Sequence, residues 1–426
     1  MLKSIIRKEI LHNLFSYKFS ITFILSAILI LVSIFVMYRD YCLAMENYEI
    51  LQPKSNESIA VIRPTPLSIF ARGLDENLCR SYEVYIDGIE INTERQKSVN
   101  NLFKLFTPPD LLYIIKVIMS LCAMLFAYDM VSGEKETGTL RQSLSNSLKR
   151  PILIFGKWIG GFVSFILPFF IAVLLGTILV TLSPMVNINA RNWAQMGLFL
   201  LSSVIYLSVF FSLGLLISCL AHQSSSSLVI SLFVWTILLF LIPNLGNILA
   251  RQFVRIPTAQ QVELKREQIK KKFHSEYNRI KSLFEIKRIP KTQQDFKKRA
   301  EVLVLRFAAE LDKLDEDYRN SFNSLVRLSQ NITRFSPAAA FTFLATDIMG
   351  TGMTEERRLK NEIFLYMNIL RNLDNEKSNR PAFSYQRSSV REVLGQGGLA
   401  NCLILILFNI LFFTGAYVAF LRYDVR

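Results

Sequence analysis

The sequence predicts a mainly α-helical membrane protein that crosses the bilayer six times. Of its 426 residues, 51% are hydrophobic, and the mean hydropathy is positive, at +0.31. These values are too apolar for a soluble protein of this size. The apolar residues are gathered in six runs, and a helix needs about 20 residues to cross a bilayer. The runs are residues 19–38, 111–127, 158–182, 196–220, 227–249 and 399–421.

The N-terminal segment, residues 1–18, predicts an amphipathic elbow helix that lies along the membrane surface. Apolar residues such as Ile6 and Ile10 recur at helical spacing, with basic residues such as Arg7 between them. This pattern is typical of interfacial helices. The run at 19–38 is too long for the hydrophobic region of a signal peptide, so we expect it to be retained as the first span.

The first predicted external loop, residues 39–110, contains a small β element. Two short segments of β pattern, residues 82–86 and 89–91, flank Asp87-Gly88. This dipeptide is a strong signal for a two-residue hairpin turn. An isolated hairpin is marginally stable, so we expect it to pack on the other external segment.

Two cysteines, Cys42 and Cys79, also fall in this loop. An oxidising compartment would permit a disulfide bond between them. The alternative is a pair of free thiols, because five cysteines in the chain do not form a dense disulfide framework.

The second predicted external segment, residues 250–398, contains two long amphipathic helices. Apolar side chains recur at helical steps over residues 262–284 and again over residues 296–328, and Pro290 interrupts the pattern. The second helix, of about 35 residues, would be roughly 50 Å long at 1.5 Å per residue. We therefore expect a large helical hairpin.

Three further elements are predicted between this hairpin and the last span. Residues 334–341 are small and apolar and suit the membrane interface. A third helix is predicted from Glu355 to Leu373, with Thr354 as its N-cap. Residues 375–398 form a predicted linker rich in Ser, Arg, Gln and Gly.

The distribution of basic residues predicts the orientation in the cell (inner) membrane. Lysines and arginines are frequent in the N-terminal segment, in residues 128–157 and in the tail, residues 422–426. The short loop at 183–195 contains a single basic residue, Arg191. The positive-inside rule therefore places both termini in the cytoplasm and both large loops outside.

The inner loop, residues 128–157, contains the candidate partner-binding residues. Gly133 and Gly138 permit tight turns. Glu134 and Glu136 offer carboxylates for charge-assisted bonds to Arg or Lys of a partner. Spacing alone favours an ordinary solvated loop with leucines anchored at the interface. The candidate residues are Asp129, Gly133, Glu134, Lys135, Glu136, Thr137, Gly138, Thr139 and Leu140.

The segment Asp129–Leu140 resembles the cytoplasmic signature of type-2 ABC exporter permeases, which reads roughly D-x-x-x-G-E-x-E-x-G-T-L. The elbow helix and the Ser336-Pro337-x-x-x-Phe341 turn extend the resemblance, and residues 64–73 resemble a subgroup with enlarged external loops. The resemblance implies that residues 129–140 dock a separate cytoplasmic ATPase that binds ATP and Mg. It also implies that two permease chains pair, as a homodimer or a similar heterodimer.

The sequence carries no chemistry of its own that would make it an enzyme. Gly156-Lys157-Trp158 lacks the Ser or Thr and the upstream glycine of a P-loop. The three histidines are scattered, so neither a metal nor another cofactor is predicted. The net charge of +15 is explained by basic residues that flank spans and contact anionic membrane lipids, so no nucleic-acid partner is expected.

Two functions fit this sequence. Spans with so few polar residues favour export of an apolar or amphipathic substrate. Alternatively, ATP hydrolysis could move the external hairpin against a periplasmic protein partner while nothing is transported. A secondary transporter is disfavoured, because buried charges and inverted repeats are not visible.

Overall fold

The computed structural model describes residues 2–51, 59–79, 82–85, 88–91, 108–145, 149–285, 290–372 and 383–423. Within these residues it is mainly α-helical, and six helices are long and apolar enough to cross a membrane. The predicted fold class is therefore confirmed. The six helices are Tyr17–Leu51, Leu111–Glu136, Arg150–Thr181, Ala190–Leu220, Ser224–Phe253 and Leu399–Leu421.

The helices are labelled in chain order. The first half contains α1 (Leu2–Leu14), α2 (Tyr17–Leu51), α3 (Ser120–Ala127), α4 (Ser132–Glu136), α5 (Thr139–Ser145), α6 (Arg150–Thr181) and α7 (Ala190–Leu220). The second half contains α8 (Ser224–Thr236), α9 (Ile242–Phe253), α10 (Ala259–Glu285), α11 (Pro290–Thr333), α12 (Pro337–Met349), α13 (Met353–Asn372) and α14 (Leu399–Leu421). Shorter α-helical turns lie at Asp75–Leu78, Leu111–Tyr113 and Val390–Val393. A 3₁₀ turn lies at Pro66–Ile69, and π-helical segments lie at Ile114–Met119, Ile237–Leu241 and Leu394–Gly398.

Several spanning helices are longer than their apolar runs. Helix α2 continues past residue 38 to Leu51, because no glycine or proline follows the apolar run until Pro53. Helix α6 begins at Arg150 rather than at residue 158, with Pro151 in its first turn, where proline is well tolerated. Hydropathy marks the part of a helix that suits the membrane, not the end of the helix.

The chain forms two compact units. The first comprises residues 1–240 and 336–426, and the second comprises Leu241–Phe335. The segment 250–398, predicted as one external domain, is therefore divided between the two units. Apolar periodicity identified its helices but gave no sign of the division, because the apolar run at 227–249 passes through the boundary without interruption.

The second unit contains the predicted helical hairpin. Helices α10 and α11 pack antiparallel, with the rings of Phe273 and Phe307 stacked at 4.5 Å between centroids. An ion pair of 2.8 Å joins Arg266 to Asp315 across the same interface. Helix α11 has 44 residues, which is about 66 Å and exceeds the predicted length, because Pro290 begins the helix and is tolerated there.

In the first unit, the segment after the hairpin begins a buried helix, α12. Ser336 caps α12, because its hydroxyl accepts hydrogen bonds from the N–H groups of Ala338 and Ala339. Phe341 is fully buried and stacks on Tyr206 of α7 at 4.3 Å. Helix α12 has only 13 residues, too few to be recognised as a span from hydropathy.

A small antiparallel sheet in the first unit contains the predicted hairpin. Its strands are β1 (Ile59–Ala60), β2 (Tyr82–Tyr85) and β3 (Gly88–Ile91), in the order β1-β2-β3. Tyr85 pairs with Gly88, so Gly88 belongs to a strand and not to the turn as predicted.

Two smaller points concern Cys42, Cys79 and Thr354. Of the two alternatives left open for Cys42 and Cys79, the structure has the pair of free thiols. The sulfur of Cys79 instead lies 3.7 Å from the guanidinium of Arg387. Thr354 is not a cap, because α13 already begins at Met353. Asp87, Leu373 and parts of three predicted segments (146–148, 375–382 and 424–426) lie outside the described residues.

Candidate docking site in the loop between the second and third spans

The loop after the second span folds into two short helices, α4 and α5. Gly138 separates them with φ of +75°, a conformation that L-residues rarely adopt. An added Cβ there would meet nothing within 4 Å, so the backbone angle alone requires glycine. The predicted turn at Gly138 is therefore present. The predicted turn at Gly133 is wrong, since this residue lies inside α4.

Serine hydroxyls fasten the backbone of the loop to the neighbouring spans. The hydroxyl of Ser218, near the end of α7, accepts hydrogen bonds of 3.0 Å from the N–H groups of Val131 and Ser132. The hydroxyl of Ser227, in α8, donates a hydrogen bond of 2.6 Å to the carbonyl of Tyr128. The loop is thus tied to both helices.

Two adjacent charged residues of the loop contact the ends of these same helices. Lys135 donates hydrogen bonds to the carbonyls of Cys219 and, at 3.0 Å, Ala221, where α7 ends. The Glu136 carboxylate accepts from the N–H of Ser224 at 3.0 Å and from its hydroxyl, where α8 begins. A cation at a helix C-terminus and an anion at an N-terminus both match the helix dipole. Both side chains therefore stabilise the turn between α7 and α8.

A buried ion cluster joins the loop to two further helices. Lys157 of α6 is only 2% exposed. Its ammonium lies 2.8 Å from Glu134 of α4 and 3.1 Å from Glu9 of α1. A buried ammonium needs such partners, because removing it from water is costly. Glu134, predicted to be an exposed carboxylate for a partner, is therefore occupied within the chain.

Two glycines allow α1 to approach α6 closely enough for this contact. A Cβ added to Gly156 would lie 2.6 Å from Ile5, and one added to Gly160 would lie 2.7 Å from Cβ of Glu9. The pattern Gly-x-x-x-Gly is typical of close helix packing. It flanks Lys157, so the sequence held a signal for this cluster that our prediction missed.

The beginning of α2 and the end of α14 contact the same region. Asp129 forms an ion pair with Lys18, whose ammonium also lies 4.7 Å from the centre of the Tyr128 ring. Arg150 donates hydrogen bonds to the carbonyls of Leu421 at 2.7 Å and Tyr423 at 3.1 Å. The N-terminal helix, the loop, the α7–α8 turn and the end of α14 therefore gather at one end of the first unit.

The opposite end of the first unit is built from different segments. Tyr38 and Ser183 share a hydrogen bond of 2.6 Å, and Gln195 donates one of 2.8 Å to the carbonyl of Ile348. Thr351 donates a hydrogen bond of 3.0 Å to the carbonyl of Ala71. These contacts gather the loop before α7, the segment around Ala71 and the end of α12.

Few of the candidate residues remain open to a partner. Residues 136–139 are exposed, whereas Leu140 is fully buried and anchors α5. On the adjacent α1, the side chains of Lys3, Arg7 and Lys8 are exposed. We call residues 136–139 together with these three basic residues the docking face. Among the described residues, no three potential metal ligands lie close together.

Comparison with known proteins gives one family match. The family described as ABC-2 family transporter protein matches residues 4–425, almost the whole chain. No curated protein matches the sequence.

The ion cluster makes a first prediction. Lys157→Met should lower the free energy of unfolding by about 3 kcal/mol, because it leaves the buried Glu9 and the partly buried Glu134 without their cation. The measurement is the melting temperature of the purified protein in detergent. The matched control is Glu9→Gln/Glu134→Gln/Lys157→Met, which removes all three charges and should recover most of the loss. An unchanged melting temperature for Lys157→Met would contradict the cluster.

A second prediction separates the two glycines of the loop. Gly138→Ala should destabilise the protein by about 1 kcal/mol, because alanine is strained in the left-handed region. Gly133→Ala should be neutral or stabilising, because its Cβ would make an ordinary contact of 3.6 Å with Cβ of Asp129 within a helix. Paired thermal melts measure both. If Gly138→Ala were more stable than Gly133→Ala, the turn between α4 and α5 described above would be wrong.

Proposed function

Because this chain belongs to the ABC-2 transporter family, as a membrane-spanning permease subunit, we propose that it couples a separate cytoplasmic ATPase to export of an apolar or amphipathic substrate. The observation that carries the proposal is the attachment of the loop between the second and third spans. This loop is held to α1, α6, α7 and α8 by charged and polar side chains.

The attachment gives a mechanism for transmitting force. A push on the exposed tip, residues 136–139, would reach α7 and α8 through Lys135 and Glu136. It would reach α6 and α1 through Glu134 and Lys157. The ATPase subunit would bind ATP and Mg, and its closure would move these helix ends together.

The gathering of segments at one end supports the proposed orientation. Helix α1, the loop and the end of α14 lie at this end, which fits an even number of spans. Basic residues of α1, the loop and the tail are concentrated there, so we place this end in the cytoplasm and the chain in the cell (inner) membrane. The sheet and the loop before α7 would then lie outside.

The surfaces of the spans support a lipid-like or amphipathic substrate and a second permease chain. Helices α8 and α14 expose large apolar side chains, including Phe233 at 66% and Leu407 at 65%. Three polar groups inside the spans pair with one another: Trp158 donates to Ser212, which donates to Asn409, both at 2.9 Å. Such hydrogen bonds between spans stabilise helix packing.

One observation favours the second candidate function, mechanical action on a periplasmic protein. Residues Leu241–Phe335 form a compact unit with their own internal interface. A unit of this kind could be moved as a body. Reconstitution in vesicles separates the two functions, since export predicts ATP-dependent movement of lipid or peptide and mechanical action predicts hydrolysis without transport.

A third prediction tests ATPase docking. Thr139→Arg should reduce the amount of P-loop ATPase that copurifies with the chain by at least about tenfold, because a bulky cation at a contact centre costs over 1.4 kcal/mol. The control is Thr181→Arg, which also replaces an exposed threonine but lies at the C-terminal end of α6, away from the loop. Copurified protein is quantified by mass spectrometry. Equal recovery from both variants would remove residues 136–139 from the proposed contact.

A fourth prediction concerns the hairpin. Joining Glu263 to Leu328 through a short Gly/Ser linker removes most of α10 and α11 but keeps Asn247 and Ser329, which share a hydrogen bond. The ATPase should still copurify, because the docking face lies in the first unit. The export or mechanical function of the complex in cells should be lost, because the hairpin would contact the exported substrate or the periplasmic protein partner. Full function in cells would make the hairpin dispensable.

A further inference from the structure

An open groove lies beside the loop, at the end of the first unit where the termini gather. Its volume is ≈ 600 Å³, which is within the range of small-molecule sites. One wall comes from Lys135 and His222, and the other comes from the last three turns of α14 and the residues after it, including Arg422. The groove is separate from the docking face.

The polar part of the groove is basic. Among the described residues, which end at Tyr423, Lys135, His222 and Arg422 line it and no acidic side chain does. His222 and Arg422 are exposed, so their side chains are available to a ligand. Lys135 holds the end of α7, and its ammonium lies 4.8 Å from the centre of the Tyr423 ring. A negatively charged group would therefore be attracted to this end of the groove.

The rest of the groove is apolar and belongs to the spans. Leu220 is 62% exposed at the end of α7, and Leu411 is 60% exposed on α14. Gly415 and Ala419 of α14 also line the groove. Because they have no side chain or a small one, the groove is deeper at these positions. An apolar channel that ends in basic side chains matches a molecule with an anionic head and hydrocarbon chains.

We propose that this groove binds one anionic phospholipid, with its phosphate at Arg422 and His222 and its acyl chains along α14. Basic pockets between spans on the cytoplasmic side are suited to lipid head groups. The bound lipid would touch Lys135 and so contact the loop directly. This site goes beyond the proposed function and rests on it only for the cytoplasmic orientation of this end.

A second copy of the chain is the competing occupant, and charge disfavours it. A two-fold contact centred on the groove would place the same surface of both chains face to face. Each chain would then bring Lys135, His222 and Arg422 toward the identical set on its partner. Like charges at a contact destabilise it, whereas a phosphate neutralises them.

The test measures lipid binding by native mass spectrometry of the purified full-length chain, together with any ATPase that copurifies. Phosphatidylglycerol and phosphatidylcholine with identical acyl chains are titrated separately. The chain should bind one phosphatidylglycerol with about fivefold or greater preference, the effect expected for one basic residue near a lipid of net negative charge, because choline neutralises the phosphate of phosphatidylcholine. Equal binding of the two lipids would overturn the proposal.

Two variants test separately how the groove binds the lipid head group and how it binds the acyl chains. Arg422→Gln should remove most of the preference for phosphatidylglycerol, while Lys149→Gln, an exposed basic residue outside the groove, should leave it unchanged. Thr414→Trp fills the groove and should weaken binding of both lipids, whereas Leu407→Trp, on α14 outside the groove, should not. Indistinguishable behaviour of variants and controls would refute the site.

Two further arms exclude other occupants. Inorganic phosphate at millimolar concentration should not displace the lipid, because it lacks the apolar chains; displacement would show an anion site without lipid specificity. Val418→Cys, with the native cysteines removed, should not crosslink to a second copy in membranes. Efficient crosslinking would show that another chain covers the groove, and the lipid proposal would fall.

Discussion

The cytoplasmic end proposed for this permease depends on one buried ammonium. Lys157 binds the carboxylates of Glu9 on α1 and Glu134 on α4. These residues lie 148 and 23 positions before it in the sequence. A single cation between two carboxylates is favourable only while all three groups stay together, because each alone would be buried without compensation. Among the described residues, Oε2 of Glu134 is buried and has no hydrogen-bond partner, so this carboxylate is held through one oxygen only.

The loop adds a second constraint of the same electrostatic kind. Lys135 and Glu136 are neighbours in sequence, and each contacts the helix end whose dipole suits its charge. A short helix with these two side chains can therefore hold two spans at a fixed separation. Together with Lys157, it makes α1, α6, α7 and α8 meet at one place, which is what a motor subunit would need to move them in concert.

Much of this fold could be predicted from sequence, because the period and length of apolar runs report directly on helices and spans. The predicted turn at Gly138 was also recoverable, since a glycine between two polar helical segments is a typical break. The division at Phe240 and the burial of α12 could not be predicted, because hydropathy does not distinguish a helix buried among spans from one at the membrane surface.

The candidate site was predicted only in part. Local pattern identified residues 129–140, but the partners of Glu134 and Glu136 lie elsewhere in the chain, so both appeared free. Glu9 and Lys157 were missed for the same reason, since an ion cluster joins residues that no local window contains. The Gly156-x-x-x-Gly160 pattern was the one local sign that another helix packs beside Lys157.

In the proposed mechanism, α1, the loop and the α7–α8 turn move as one body. Electron–electron distance measurements between spin labels test it most directly, with label pairs at Lys8, Thr139 and Gln223, all of which are exposed. Distances are compared in the reconstituted complex without nucleotide and with ATP trapped on the ATPase. The account predicts that the three distances stay within about 2 Å while distances to the opposite end of the spans change. A change of more than about 5 Å between Lys8 and Thr139 would contradict it.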